Sequence, residues 1–216
     1  MRIKKKKWAR PYLEDNMDQV DLNPKFSVAI VKSNTNVLEI GTGKGNFIFT
    51  LAKRYPEMRF FGIEKNSDVL ALALKKINGD KSVSNIMLMR ADMYEAKDTM
   101  EDEMFDFIFI SHPDPWPKKK HRKRRLLFPS FLEAYYRILK DGGKLFFKTD
   151  DDNLFADSLE NITEFSKFEL TSVDYDYQNL EEFDVQTEYE MRFRNEGIKI
   201  KRLILKKEKK YVSNKT

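Results

Sequence analysis

Val37-Leu-Glu-Ile-Gly-Thr-Gly-Lys-Gly-Asn46 decides the fold. A short apolar run with one acid inside it, three glycines at alternate positions and an amphipathic stretch over 46–55 read as strand, tight turn and helix. Glycine belongs in such a turn because the backbone must take positive φ and let a ligand approach closely. A dinucleotide-binding turn would place its third glycine where Asn46 stands, and the G-x-x-x-x-G-K-[ST] pattern of a phosphate-binding loop is absent.

The same alternation continues outward. Apolar runs at 60–63, 86–89, 105–110 and 144–148 interleave with helical periodicity at 68–77 and 128–139, and the runs at 169–175 and 198–205 read as two further strands. This order predicts an α/β Rossmann-like fold. Its sheet is seven-stranded and mostly parallel, with right-handed crossovers, helices on both faces and an antiparallel hairpin at one edge. In such a sheet ligands bind beyond the carboxyl ends of the strands. Residues 1–35 show no sustained period and are expected as a basic and aromatic arm, 36–210 as the folded domain and 211–216 as a flexible tail.

Composition narrows the class. At 216 residues and 41% hydrophobic, with 17 Phe, 9 Tyr and 2 Trp, the chain has the apolar mass for one core. Cysteine is absent, which removes disulfides, thiolate metal sites and cysteine nucleophiles and points to a reducing, cytoplasmic setting. No apolar run approaches the ~18 residues of a membrane span. The basic start, Met1-Arg-Ile-Lys-Lys-Lys-Lys-Trp8, lacks the apolar stretch of a secretory signal. The net charge of +5 hides a segregation: residues 2–10, 118–125 and 199–215 hold 21 of the 40 Lys and Arg against one of the 35 acids, leaving 19 bases and 34 acids, net −15, elsewhere. Clustered cations on an acidic body suit a polyanionic partner.

Three acids sit at successive strand ends: Glu39 inside the first strand of the pattern, Glu64 at the tip of the second and Asp92 just past the third. A carboxylate at the position of Glu64 accepts both hydroxyls of a ribose. With Gly41, Gly43 and Gly45 and no phosphate signature, the set suits a ligand with a cationic amino acid end and a ribose, S-adenosylmethionine. After the fourth strand comes Ser111-His-Pro-Asp-Pro-Trp-Pro-Lys118, then Lys119, Lys120, His121, Arg122, Lys123, Arg124 and Arg125. Asp114 is held between two prolines, Trp116 offers a stacking face and the cations suit phosphates. His112 and His121 are the only histidines and their spacing makes no metal site, so both are expected to face solvent or RNA.

These motifs, with Lys148-Thr-Asp150 and Thr187-Glu-Tyr-Glu190, resemble the TrmB family of bacterial tRNA (guanine-N7-)-methyltransferases, over nearly the whole chain. The resemblance implies transfer of the methyl group of S-adenosylmethionine to N7 of guanosine 46 in the variable loop of tRNA, with S-adenosylhomocysteine as product and no metal. It implies that Glu39, Glu64, Asp92 and Asp114 bind the cofactor and that Asp114 is catalytic. It places Lys118, Asp150, Thr187, Glu188, Tyr189 and Glu190 on the substrate, and Lys120, His121, Arg122, Lys123, Arg124 and Arg125 on the RNA. The chain departs at Ser111-His112-Pro113, where many relatives carry Asn-Phe-Ser. No obligate protein partner is implied, and a monomer or homodimer is expected. The cofactor half by itself also fits methylation of another RNA or of protein, and a non-catalytic RNA-binding relative is the remaining alternative.

Overall fold

The computed structural model describes residues 5–24, 34–178 and 183–208, the Glu188 side chain excepted. The expected tail, 211–216, lies outside them. The strands are β1 (Val20–Asp21), β2 (Asn36–Ile40), β3 (Arg59–Ile63), β4 (Ile86–Met89), β5 (Phe105–Ser111), β6 (Leu139–Thr149), β7 (Phe168–Asp174) and β8 (Lys201–Lys207). They form one sheet in the order β1-β4-β3-β2-β5-β6-β8-β7, parallel through β6 and antiparallel at β8 and β7. The strand order reverses at β2, so the crevice beyond the carboxyl ends of β2 and β5 is the topological switch point.

The helices are α1 (Ala9–Glu14), α2 (Asn46–Arg54), α3 (Ser67–Asn78), α4 (Met93–Ala96), α5 (Pro129–Ile138), α6 (Asp152–Phe165) and α7 (Glu188–Asn195). Side chains of the central strands alternate between two cores, as the period of two demands. Val37, Phe60 and Phe109 pack with Phe47, Leu51, Leu70 and Leu74 on one face. Leu38, Phe61, Ile108 and Ile110 pack with Phe131, Tyr135, Leu154 and Phe155 on the other. All five residues of β2 are buried, as expected for a central parallel strand covered on both faces.

Two features differ from the sequence expectation. The sheet has an eighth strand, because β1 pairs in parallel with β4 at Val20↔Leu88 and Asp21↔Met89. Two residues are too short for a readable period, yet Val20 is fully buried and Ala9 and Leu13 of α1 join the core over α3. The second difference lies in β8. By sequence the cations clustered there suit a polyanionic partner, but Lys201, Arg202 and Lys207 are buried because β8 is the inner strand of the hairpin, between β6 and β7. Their apolar stems pack while the charged ends reach local partners. Lys201 Nζ lies 2.6 Å from Asp152, Lys207 Nζ donates to Leu139 O at 2.7 Å, and the Arg202 guanidinium stacks on Tyr177 at 4.1 Å. Among the described residues of the C-terminal basic segment, Lys199 pairs with Asp176, Lys201 with Asp152, Lys206 with Glu169 and Lys207 with Glu103 and Asp141, so these cations balance the body's own acids.

Candidate active site

The turn after β2 is built from three glycines with φ of +80°, +58° and +76° at Gly41, Gly43 and Gly45. Gly45 is also required sterically, since a Cβ there would lie 2.9 Å from Ala73 Cβ of α3. Likewise a Cβ on Gly62 of β3 would meet Thr42 Oγ1 at 2.5 Å, so the strand and the turn pack only with glycine at that point. The amides of Gly41 and Thr42 donate to Ile63 O at 2.8 and 3.0 Å, that of Gly43 to Glu64 Oε2 at 3.2 Å, and that of Gly45 to Thr42 O at 2.9 Å. A phosphate cradle presents such amides to the ligand. Here they are spent inside the turn, which favours a ligand without phosphates.

The acids expected at the strand ends do come together on one cleft of about 870 Å³, which Glu39, Glu64, Asp92 and Asp114 all line. Glu64 accepts from Gly43 N and from Asn66 N at 2.8 Å, while Asn66 in turn caps α3 through Asp68 N and Val69 N. Asp92 caps α4 through Tyr94 N at 2.9 Å and keeps an exposed carboxylate. Val69, Ala91, Met93 and Tyr94 supply an apolar wall of the kind that takes a purine ring.

Glu39 is buried, and its Oε2 has no hydrogen-bond partner. Burial raises its pKa from 4.5 to about 8, aided by the nearby charge of Glu64 and opposed by the Thr42 hydroxyl. Between those two values the folded chain holds a proton that the unfolded chain has lost, so Glu39 costs stability as pH rises through this window. A buried acid with one oxygen unmet in a cleft is poised for a donor or cation supplied by a ligand.

The loop after β5 is more constrained than its prolines alone require. His112 and Trp116 stand at φ of +49° and +44°, uncommon for residues other than glycine, at either end of Pro113-Asp114-Pro115. Arg125 holds the curl together. Its Nε and Nη2 donate to Pro115 O and Trp116 O at 3.0 and 3.2 Å, and Nη1 pairs with Asp157 of α6 at 3.0 Å. The Arg124 guanidinium lies 4.9 Å over the Trp116 ring. The Asp114 side chain is 69% exposed, within 3.6 Å of Lys65 Nζ. Lys65 carried no sequence signal; it reaches the loop only because β3 and β5 flank β2.

The basic stretch divides by exposure. Lys118, Lys119, Lys120, Lys123 and Arg124 are exposed on or beside a 3-10 turn over Lys119–Arg124. Arg122 pairs with Asp157 and with Glu160, and the Arg125 side chain is only 11% exposed. Those two hold α6 and the loop, in place of the free phosphate contacts expected of them. His121 is half-buried, 5.5 Å from the Trp116 ring.

His112 is the clearest correction. Expected at the surface, its side chain is 7% exposed, and Nδ1 lies 3.1 Å from Asp150 Oδ1. Asp150 is brought there by the parallel register of β5 and β6, where Ser111 faces Lys148. The hydrogen bond with His112 holds the Asp150 carboxyl below the ordinary carboxylate range against the effect of its partial burial.

Of the 187–190 element, Thr187 and Tyr189 line the cleft, and Thr187 Oγ1 caps α7 through Glu190 N at 3.2 Å. Glu188 opens the helix. Glu190 turns inward, fully buried, to Lys148 Nζ at 2.8 Å and Arg194 Nη2 at 2.7 Å. Lys148 also pairs with buried Asp184 at 2.7 Å. Burial pushes the Glu190 carboxyl up, but Lys148 and Arg194 outweigh it and its pKa is lowered. Among the described residues, no group of three or more His, Asp or Glu stands where it could hold a metal ion, and no helix is long and apolar enough to cross a membrane.

Residues 33–203 match a family model described as "Putative methyltransferase". The tRNA (guanine-N(7)-)-methyltransferase of Staphylococcus carnosus is 38% identical over 94% of this chain and 98% of its own length. That of Mesoplasma florum is 37% identical over 96% and 99%. Among solved structures, the 16S rRNA (adenine(1408)-N(1))-methyltransferase of Catenulisporales acidiphilia, solved with cosubstrate SAM, has a TM-score of 0.58 at 11% identity over 83% of this chain and 89% of its own, a likeness of fold.

Proposed function

We infer the chemistry of the cleft from one premise, that the chain belongs to the tRNA (guanine-N(7)-)-methyltransferase family and transfers a methyl group from S-adenosylmethionine to N7 of guanine in tRNA. The observation that carries the assignment of residues is the one cleft lined by the glycine turn, Glu39, Glu64, Asp92 and Asp114 together. S-adenosylmethionine brings a methyl group on a sulfonium, an electrophile that needs no further activation. The chain has to bind it, hold the guanine in line and absorb the change in charge.

Glu64 is placed to take the ribose hydroxyls, with its carboxylate already oriented by two amides. Glu39, buried with a free oxygen, takes the ammonium of the amino acid end. The open space over Gly41, where a Cβ would meet nothing within 4 Å, leaves room for that end to lie against the turn. Asp92 and the apolar wall beside it receive the adenine.

This assignment has a thermodynamic signature. Glu39 gives up its proton when a cation settles beside it, so cofactor binding near pH 7 releases up to one proton, and affinity rises with pH toward about 8. Calorimetry in buffers of different ionisation enthalpy measures that proton. Its persistence in a folded Glu39→Gln variant would show that it comes from elsewhere.

Guanine N7 carries an in-plane lone pair and no proton, so no general base is needed. As the N–C bond forms and the C–S bond breaks, positive charge passes to the purine. Asp114, rigid in its loop, stabilises that charge, and Asp150, paired with His112 of the same loop, is assigned to the donor edge of the base. Tyr189 and Thr187 border the same space, Trp116 offers an aromatic face, and Lys118, Lys120, Lys123 and Arg124 reach the phosphates. Glu190 acts from behind by fixing α7. The reading places the enzyme in the cytoplasm, where its substrate is.

Guanosine 46 is the proposed acceptor. A tRNA transcript with adenosine at position 46 should accept no methyl group, while the unaltered transcript gives N7-methylguanosine on nucleoside analysis. Undiminished incorporation into the altered transcript would move the acceptor to another guanosine.

A further inference from the structure

His112 lies between three elements: its backbone N donates to Lys148 O of β6 at 2.8 Å, its ring is 5.7 Å from that of Phe193 in α7, and Nδ1 is 3.1 Å from Asp150 Oδ1. The Asp150 carboxylate has one other fixed donor, its own backbone. Lys201 does not compete, since its Nζ donates to Asp150 O, the main-chain carbonyl, at 2.9 Å. The orientation of this carboxylate therefore depends on a single side chain.

The other ring nitrogen fixes the tautomer. Nε2 is buried with no hydrogen-bond partner. A proton there would be an unpaired buried donor, and the bare Nδ1 lone pair would face a carboxylate oxygen; both are costly. With the proton on Nδ1, the imidazole donates to Asp150 and a single unmet acceptor on Nε2 replaces both of those costs. Backbone position supports the same role, because the φ of +49° at His112 turns the ring inward from a loop whose next residues point into the cleft.

We propose that His112 is a positioning residue for the known reaction: its Nδ1–H holds one oxygen of Asp150 so that the other faces the donor edge of the guanine. The proposal rests on the assignment of Asp150 to the substrate base. His112 acts through Asp150, and its effect falls on how well the tRNA guanine is held rather than on the electrophile.

The test uses the full-length enzyme with tRNA and saturating S-adenosylmethionine. His112→Phe keeps a ring of similar size and removes the donor, and should raise KM for tRNA about tenfold, the effect of one lost hydrogen bond to a charged group, with kcat within about twofold. His112→Asn tolerates the same backbone and places an N–H where Nδ1 was, and should restore KM to within about threefold. In an Asp150→Ala background, His112→Phe should raise KM no further. The chain has two histidines, so ¹⁵N spectra of the wild type, assigned by the resonance lost in His112→Phe, read the tautomer directly. In the neutral ring the proton should lie on Nδ1. A wild-type KM in His112→Phe, a folded Asn variant that restores nothing, or a neutral ring with its proton on Nε2 would each overturn the proposal. If the wild type methylates no tRNA, the assignment of the reaction fails instead, and the tautomer measurement still stands by itself.

Discussion

Asp114→Asn lowers the rate of methyl transfer by about 100-fold or more and leaves tRNA affinity nearly unchanged, as expected when a fixed charge that stabilises the transition state is removed and its shape is kept. Two features of the loop support a specific effect. Asp114 lies between two prolines, and the carbonyls of Pro115 and Trp116 are tied down by Arg125, so the amide variant has no cause to rearrange. The side chain is exposed in the cleft, so folding does not depend on it. Single-turnover measurements separate this step from product release. The companion experiment acts on the other partner: a tRNA with 7-deazaguanosine at the acceptor position keeps its phosphates and Watson-Crick edge but has no N7 lone pair, and it should bind without accepting a methyl group. Full activity of Asp114→Asn would remove that carboxylate from the chemistry, and methylation of the deaza substrate would remove N7.

Lys148→Met destabilises the fold by about 3–5 kcal/mol, the range for breaking a buried ion pair by deleting one partner. Lys148 is the cation between Asp184 and Glu190, and both carboxylates stay buried when it is gone. Urea midpoints measure the loss. Adding Asp184→Asn should recover part of it by removing the carboxylate left without a cation, since Glu190 keeps Arg194. Acid has opposite effects on the two proteins. In the wild type, the Glu190 pKa lies below 4.5, so its contribution is complete above that value and is lost as pH falls through the lower, folded value. In Lys148→Met the acids are relieved by protonation, and the gap between the proteins narrows toward low pH. A Lys148→Met protein of wild-type stability that fails only in tRNA binding would mean that this lysine and Glu190 belong to the substrate, not to the support of α7.

The sequence by itself determined the parallel sheet, the glycine turn and the four acids. These are set by local chemistry: a period of two in buried strands, glycine at the positive-φ positions of the turn after β2, and acids within three residues of strand ends that the α/β order places at one edge. Tertiary structure decided which charged groups are free. Lys148 and Asp150 are two residues apart, yet Lys148 lies within β6 and is buried against Asp184 and Glu190, whereas Asp150 lies beyond the strand, which ends at Thr149, and keeps a partly exposed side chain against His112. Arg125 and Arg124 are adjacent and equally basic in sequence, yet one binds carbonyls of the loop and the other lies over Trp116, and only the position of Asp157 on a separate helix distinguishes them. The Thr187 to Glu190 spacing is that of a helix cap, but the direction in which Glu190 points depends on Lys148, 42 residues away. The role of His112 was least legible, since a histidine beside a basic run reads as exposed until the pairing of β5 with β6 brings Asp150 to its Nδ1. Pairings of this kind are long-range, and no local pattern of charge or hydropathy encodes them.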